Sequence, residues 1–263
     1  MGNYKQAIDI IKRLFNFGFV ATEPTFAFLT PAPSKSDVAR VRLLAAALDV
    51  FGRKGPDGAT VREIAEAAGQ NVAAISYYFG SKEALYLELI RGIIVEMRIR
   101  VGEVIERAEA RRNAGPMKPR EAEALLDELL RTLYLRALGR DETLALSRLI
   151  AREQMQPTAA FDIIYEQGIR RLHETLTFLV AAILGMEPSS PLAVARAHTL
   201  LGQVIAFAVA RETFIRRMGW EKWETEQAVF VADVVSANLR AMFAGLRCSA
   251  RADGKTLRKR KAI

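Results

Sequence analysis

Cysteine is nearly absent from this chain of 263 residues, and histidine is scarce. The single cysteine, Cys248, excludes an internal disulfide and is typical of proteins in a reducing cytosol. The two histidines, His173 and His198, stand apart in the sequence without the spacing of a metal site. We therefore expect neither a metal ion nor a cofactor.

Signatures of catalysis and of membrane insertion are also missing. The sequence contains no glycine-rich phosphate loop, nucleophile elbow or paired-carboxylate motif, so we do not expect an enzyme. The longest uncharged apolar run, residues 197–210, is shorter than the ~20 residues of a membrane span. Residues 12–22 only faintly resemble a signal peptide, because Glu23 and Pro24 follow closely. We expect a cytoplasmic protein without a membrane partner.

The excess of positive over negative charge is carried by the two ends of the chain. The net charge is +8, of which residues 1–35 carry +2 and residues 247–263 carry +6. Residues 36–246 are therefore neutral overall, so a nucleic acid would be contacted there by a few placed groups. The polar, basic tail at 247–263 lacks apolar periodicity, which predicts a disordered segment that adds non-specific affinity.

Apolar side chains recur at helical spacing throughout, whereas the alternation of β-strands is absent. The sequence therefore predicts an all-α fold. Residues 1–35 form an N-terminal extension, with a possible amphipathic helix in 1–20 and a linker rich in proline and threonine. A helix begins at Ser36 or Asp37 and ends at a turn, GRKGPDGA. Later helices are predicted at 82–112, 119–138, 141–156, 158–184, 191–218 and 222–246.

Residues 60–89 have the layout of a helix-turn-helix motif. Thr60 is a good N-cap, and Glu63 three residues later completes a capping box. Gly69 is a helix stop, and Asn71 is a good N-cap for a second short helix that Gly80 ends. Two short helices joined by a tight glycine turn can place one helix in a DNA major groove.

These residues resemble a known family. The segments ALDVFGRKGPDGATVREIAEAAG and ISYYFGSKEALY resemble the DNA-binding domain of TetR-type bacterial transcriptional repressors. The segments LIAREQMQPTAAFD and ARETFIRRMGW resemble the effector domain of the CecR-like subgroup. The resemblance covers most of residues 36–245. It implies a three-helix helix-turn-helix domain at 36–82, joined to a larger helical-bundle domain at 83–246 that binds an effector and dimerises.

The function that the resemblance implies is that of a repressor. A homodimer would bind a palindromic double-stranded DNA operator, and a small-molecule effector would release it. The helices at about 191–218 and 222–246 are apolar over wide faces and would form the dimer interface. The alternative is a helical ligand-binding or scaffold protein whose helix-turn-helix serves only for packing.

The second helix of the motif offers small side chains and hydroxyls. Gln70 and Asn71 are candidates for hydrogen bonds to base edges, although Asn71 equally suits a cap alone. Tyr77, Tyr78 and Lys82 suit phosphate contacts, with burial as the alternative for Tyr78. The candidate DNA-binding residues are Thr60, Gln70, Asn71, Val72, Ala73, Ala74, Ser76, Tyr77, Tyr78 and Lys82.

The second domain offers apolar candidates for an effector pocket, although side chains of this kind more often belong to plain core. Glu153 lies on an otherwise apolar helix, where an interhelical ion pair is the favoured interpretation. The pocket candidates are Met155, Phe161, Ile164, Tyr165, Phe178, Phe207 and Phe214.

Overall fold

The computed structural model describes residues 35–138 and 142–260, which contain α-helices and no strand. The all-α prediction is confirmed, whereas the helix and linker predicted within residues 1–34 lie outside the described residues. The helices are α1 (Lys35–Gly58), α2 (Val61–Ala68), α3 (Val72–Phe79), α4 (Lys82–Asn113), α5 (Pro119–Leu138), α6 (Glu142–Met155), α7 (Ala159–Ile164), α8 (Arg170–Leu184), α9 (Pro191–Val209), α10 (Arg211–Met218) and α11 (Thr225–Arg260). A π-helical turn, Tyr165–Ile169, joins α7 to α8.

The described residues divide into two compact units. The first unit contains the described parts of Met1–Ile99 and Asp141–Ile169, and the second those of Arg100–Arg140 and Arg170–Ile263. The first unit thus includes α1–α3, the beginning of α4, α6 and α7. The domain boundary expected from the family resemblance lies between residues 82 and 83. The first compact unit extends beyond this point, because α6 packs against α1.

The core of the first unit confirms the apolar pattern of the helix-turn-helix. Ile64, Ala68, Ile75 and Leu85 are buried, and Phe79 closes the same cluster from the end of α3. These residues share one face of each short helix because they recur at three- and four-residue spacing. The inner face of α3 is therefore fixed by packing, which leaves its outer face for recognition.

The turn predicted between α1 and α2 is a kink near the end of α1. Gly55 has a φ of 74°, a left-handed conformation that glycine adopts without a clash, and Pro56 follows it. The guanidinium of Arg152 in α6 lies against Gly55, where a Cβ would be only 2.1 Å from Arg152 Cζ. Position 55 thus requires glycine both for its backbone angle and for the approach of Arg152.

Glu153, beside Arg152, has a fully buried side chain. Its carboxylate accepts hydrogen bonds from the Tyr86 hydroxyl at 2.7 Å and from the Thr158 backbone N–H at 3.0 Å. The Thr158 hydroxyl also donates to it, while accepting from the N–H of Ala160 in the first turn of α7. The expected ion pair is thus replaced by uncharged donors, which satisfy a buried carboxylate in the same way.

The second unit is built from the remainder of α4 with α5 and α8–α11. Helix α5 packs against α8, α9 and α11, and α8 packs also against α9. The helix predicted over 191–218 is two helices, because the backbone turns at Ala210 with φ −96° and ψ 23°. That turn carries Arg211 into the interior, where its side chain is only 9% exposed. No glycine or proline marks the break in the sequence.

The last helix is longer than predicted. Helix α11 continues to Arg260 and so includes most of the segment for which the sequence predicts a basic tail. Arg247 Nη1 donates to Glu123 Oε2 of α5 at 2.8 Å, so the first residue of the predicted tail belongs to the folded unit. Beyond it, extending a packed helix through arginine, lysine, alanine and leucine requires no new nucleation.

The Tyr86–Glu153 hydrogen bond should contribute measurably to stability. Burial raises the pKa of Tyr86, and the hydrogen bond to Glu153 raises it further, so the hydroxyl keeps its proton and donates. Tyr86→Phe leaves the buried carboxylate short of one donor, and we expect a loss of about 1–3 kcal/mol in the free energy of unfolding. Urea denaturation followed by circular dichroism measures it. Tyr77→Phe, at a side chain that is 81% exposed, is the control. Equal effects would contradict the assignment.

Candidate nucleic-acid interface

The turn between α2 and α3 has the geometry that the sequence predicted. Gly69 adopts φ 63°, and its N–H bonds to the carbonyl of Glu66 at 3.0 Å. Gln70 N–H then donates to the carbonyl of Ala65 at 2.9 Å, which satisfies a second carbonyl at the end of α2. These two bonds reverse the chain within the few residues before α3 begins.

A capping box begins α2. The Thr60 hydroxyl accepts from the N–H of Glu63 at 3.2 Å, and the Glu63 carboxylate accepts from the Thr60 N–H at 3.1 Å. Lys54 of α1 forms an ion pair with the same carboxylate. The hydrogen bond from Lys54, together with those from Thr60, lowers the pKa of Glu63 to about 2. Thr60 therefore has a capping role in addition to its predicted contact with DNA.

Helix α3 has a sharp division between its two faces. Asn71 caps it, because its Oδ1 accepts from the Ala73 N–H at 3.0 Å. The capping interpretation of Asn71 is thus observed, and its amide NH2 group still lies on the exposed side of the helix. The exposed members of the predicted contact set are Thr60, before α2, and Asn71, Val72, Ala73, Ser76 and Tyr77 in and around α3.

Four predicted contact residues are only half-exposed, namely Gln70, Ala74, Tyr78 and Lys82. Ala74 and Tyr78 pack against the core of the first unit, and Gln70 lies in the turn that precedes α3. The Tyr78 ring contacts the rings of Tyr77 and Phe79 with centroids 4.9 Å and 6.4 Å away. The ring of Tyr78 is therefore partly buried, as the alternative interpretation of this residue expects. Ala74 faces inward because it lies one residue before the buried Ile75.

Lys82, at the start of α4, is held by the end of α1. Its ammonium group donates to the carbonyl of Pro56 at 2.9 Å and to that of Ala59 at 3.2 Å. Ser81 caps α4, because its hydroxyl accepts from the Ala84 N–H at 3.0 Å. Two of the three ammonium hydrogens therefore stabilise the fold, which leaves one hydrogen for the predicted phosphate contact.

Comparisons with known proteins agree with this geometry. A family model described as bacterial regulatory proteins of the tetR family matches residues 43–89, and the C-terminal domain model of the HTH-type transcriptional dual regulator CecR matches residues 122–246. CecR of Shigella flexneri is 39% identical over 219 residues, which cover 81% of this chain and 94% of that protein. The chain belongs to the TetR family of bacterial transcriptional regulators. Its relatives are regulators rather than enzymes.

Other known regulators match a smaller part of the chain or only its fold. RutR of Escherichia coli K12 is 46% identical over 52 residues, which cover 20% of this chain and 24% of that protein. The solved structure of the ketosteroid transcriptional regulator KstR2 of Mycobacterium tuberculosis aligns with a TM-score of 0.53 at 18% identity. That alignment covers 76% of this chain and 93% of KstR2, and it shows a shared fold alone.

The predicted effector-pocket residues of this TetR-family regulator belong to both units. In the first unit, Met155 and Tyr165 are 74% and 42% exposed, and Tyr165 stacks on Phe161 with centroids 6.4 Å apart. Ile164, in contrast, is fully buried core. A ligand-contacting role for Met155, Phe161 and Tyr165 stays a prediction.

In the second unit, the remaining candidates are partly buried aromatic rings. Phe178 lies under the guanidinium of Arg112, whose Cζ is 5.8 Å from the ring centroid. Phe207 and Phe214 contact each other with centroids 5.1 Å apart. Their contact with an effector likewise stays a prediction.

The structure brings together two residues that are remote in the sequence. The rings of His173 in α8 and His198 in α9 lie 5.6 Å apart, and burial lowers the pKa of His173, with a further lowering by His198. Among the described residues, no third histidine, cysteine or carboxylate joins them in a group that could hold a metal. Cys248 is exposed at the end of the second unit.

Sequence reasoning missed the cations that support the motif from α1. The guanidinium of Arg40 lies 5.5 Å from the centroid of the Phe79 ring and pairs with Glu88 of α4. Lys54 reaches Glu63 from nine residues upstream. Both are long-range pairings that no local spacing rule signals. They also neutralise basic groups of the DNA-binding helices, in keeping with the neutral charge of residues 36–246.

The lowered pKa of Glu63 predicts a pH-dependent contribution to stability. A carboxyl group whose pKa falls on folding stabilises the protein above its unfolded pKa, and that contribution is lost as the pH falls through the folded value. Glu63→Gln keeps the capping-box geometry but removes the charge. We expect a lower Tm than the parent at neutral pH, and a difference that shrinks between pH 4.5 and about 2.

The control for this experiment is Glu66→Gln, an exposed position of the same helix. The Tm difference between it and the parent should stay nearly constant over the same pH range. High salt should reduce the Glu63 effect, because the Lys54 pair is open to solvent. A Glu63→Gln difference that does not depend on pH would contradict the assignment.

Proposed function

We propose that this TetR-family regulator is a cytoplasmic homodimer that binds a palindromic DNA operator, represses transcription and is released by a small-molecule effector. The observation that carries the proposal is the exposed face of α3. Its small side chains permit close approach to the floor of a major groove, and alanine methyl groups can contact thymine methyl groups. The packed inner face holds that surface in place.

The chemistry of α3 divides reading of the bases from anchoring of the backbone. The carbonyl oxygen of Asn71 accepts the capping hydrogen bond, and its NH2 group can donate to base acceptors. Gln70 retains both functions of its side chain. Tyr77, fully outside the core, offers a hydroxyl to phosphate, and Lys82 offers its remaining hydrogen.

A dimer is needed to read two half-sites. Two recognition helices match a palindrome only when they are separated by about one helical turn of DNA, ~34 Å, or a multiple of it. A ligand that binds more tightly to a dimer with another separation of the recognition helices lowers the affinity for the operator. The loss is set by the difference between the ligand's binding free energies for the two forms. The Shigella flexneri relative is described as a dual regulator, which supports control in both directions.

Helices α9 and α11 provide the surface for a second copy of the chain. Val209 is 61% exposed and Ile205 40% on α9, and Phe230 and Val234 are 46% and 42% exposed on α11. By length and hydropathy both helices could cross a membrane, with only 22% and 33% of their apolar windows buried within the chain. Phe230 and Val234 share α11 with Asp233, which forms an ion pair with Arg131 of α5. A charged pair close to these exposed apolar residues favours a protein partner over a membrane.

The dimer interface is tested by substitutions at residues that are exposed in the single chain. Val204 and Val235 are also in the apolar sequence pattern, but they are only 6% and 5% exposed and belong to the core of the chain itself. A charge at either position would disrupt folding, so it would not report on dimerisation. The spacing of apolar residues places both valines on an apolar face, but it does not distinguish a face in the core of the chain from a face at a dimer interface.

We expect Ile205→Glu and Val234→Glu to convert a dimer to a folded monomer. A charge at the centre of a protein interface is left buried and unpaired, which strongly opposes association. Sedimentation velocity at micromolar concentration measures the mass, and circular dichroism checks that the helices are intact. Val38→Glu, at a comparably exposed valine in α1, is the matched control and should stay dimeric. A monomeric parent would refute the dimer.

We expect two substitutions in α3 to separate phosphate contact from base reading. Tyr77→Phe removes one hydroxyl and should weaken binding to all sequences alike, by roughly 1 kcal/mol. Asn71→Ser keeps a side chain that caps equally well but removes the amide donor. If Asn71 reads a base, this variant should lose discrimination at one base pair of each half-site while its Tm stays near that of the parent.

The measurement is a competition assay with a library of operator variants at fixed salt, with random DNA as the reference. An unchanged sequence preference in Asn71→Ser would assign Asn71 to capping alone. Equal affinity of the parent for the operator and for random DNA would contradict the proposed function and favour the helical scaffold protein.

A further inference from the structure

A chain of contacting aromatic rings runs through the second unit, from α5 to α11. Neighbouring ring centroids are separated by 5.1–6.0 Å, mostly in edge-to-face contacts. This arrangement is attractive because the edge of one ring meets the face of the next. The ring cluster consists of Tyr134, Phe207, Phe214, Trp220, Trp223 and Phe230.

Two buried donors of the ring cluster have no hydrogen-bond acceptor among the described residues. They are the hydroxyl of Tyr134, a residue that is 0% exposed, and the indole N–H of Trp223, which is 4% exposed. Burial raises the pKa of Tyr134, so its hydroxyl stays protonated and remains a donor. Buried donors are nearly always satisfied in folded proteins, so two in one cluster indicate an acceptor that arrives from outside.

A cation lies at the Trp223 end of the ring cluster. The guanidinium carbon of Arg211 is 5.4 Å from the centroid of the Trp223 ring, and Nη2 lies 3.4 Å from the Trp223 carbonyl oxygen. The side chain is buried because the backbone turns at Ala210. Arginine in an aromatic, poorly hydrated setting suits a planar carboxylate, which it can bind through two parallel hydrogen bonds.

The outer rings give access to these groups. Phe207, Phe214 and Trp220 are half-buried, and Phe230 is 46% exposed. Helix α10 carries Phe214, and it follows Ala210 without a side-chain cap. A small rotation of α10 would move Phe214 away from Phe207 and Trp223, the rings on either side of it.

We propose that the ring cluster binds a planar, multi-ring aromatic acid, with its carboxylate toward Arg211 and Trp223 and a second oxygen accepting from Tyr134. The proposal rests on the proposed effector response and names the chemical class of the effector. The two donors lie at separate points of the chain of rings, so one small carboxylate would satisfy only one of them. The rings of Phe207 and Phe214 contact each other, so the flat rings of the ligand replace this contact when Phe214 moves and thereby join the two ends.

The test uses 6-hydroxy-2-naphthoate as the probe, with the dimeric, full-length protein. Isothermal titration calorimetry measures its affinity, and tryptophan emission reports its location, because both tryptophans of the chain belong to the ring cluster. Two related compounds isolate the two ends of the probe. 2-Naphthoate lacks the hydroxyl, and 2-naphthol lacks the carboxylate.

Tyr134→Phe should weaken binding of 6-hydroxy-2-naphthoate about tenfold and leave that of 2-naphthoate unchanged, because only the former reaches the hydroxyl. Its Tm should equal or exceed that of the parent, since an unsatisfied buried group is removed. Arg211→Gln should weaken both acids and leave 2-naphthol unchanged. Glu66→Gln, at an exposed position of the first unit, is the control and should alter none of the three.

Absence of binding by both acids overturns the proposal, as does equal affinity in Tyr134→Phe and the parent. In the second case the hydroxyl is merely buried. The same titration on operator-bound protein separates this inference from the proposed function. Binding that depends on Tyr134 without release of the operator would retain the site and refute the effector response. Release that Tyr165→Phe abolishes and Tyr134→Phe does not would locate the effector among the first-unit candidates and overturn the proposal.

Discussion

The buried carboxylate of Glu153 is the group on which the arrangement of the first unit depends. A carboxylate removed from water is strongly unfavourable unless donors surround it, and its donors come from Tyr86 of α4 and from Thr158 at the start of α7. The neighbouring Arg152 lies against Gly55 of α1. Two consecutive residues at the end of α6 thus connect this helix to α1, α4 and α7.

Local interactions explain what the sequence could predict. Thr60, Glu63, Gly69 and Asn71 act on backbone groups within a few residues, so their roles can be inferred from spacing and side-chain chemistry alone. The helices Lys82–Asn113, Pro119–Leu138 and Glu142–Met155 lie within a few residues of their predicted bounds for the same reason, because apolar periodicity records which face is buried. The family resemblance then supplied the function, which periodicity cannot.

Pairings between distant residues explain what could not be predicted. Lys82 and its carbonyl partner at Pro56 are 26 residues apart, and Tyr86 and Glu153 are 67 apart. The break at Ala210 has no local signal, and the partner of the neighbouring Arg211, the carbonyl of Trp223, lies 12 residues further along the chain. Periodicity also could not separate Val204, inside the chain, from Ile205, outside it, since both lie on a helix with two apolar faces.

The two carbonyl partners of Lys82 have a consequence for the entropy of DNA binding. Ordering a lysine side chain ordinarily costs about 2 kcal/mol of free energy, because rotamer entropy is lost. Here the carbonyls of Pro56 and Ala59 already order it in the free protein. In the proposed complex, a phosphate would meet an ammonium group that is already aligned, so most of that loss belongs to folding. Lys82 is in this sense a rigid element of the surface, comparable to a backbone N–H group.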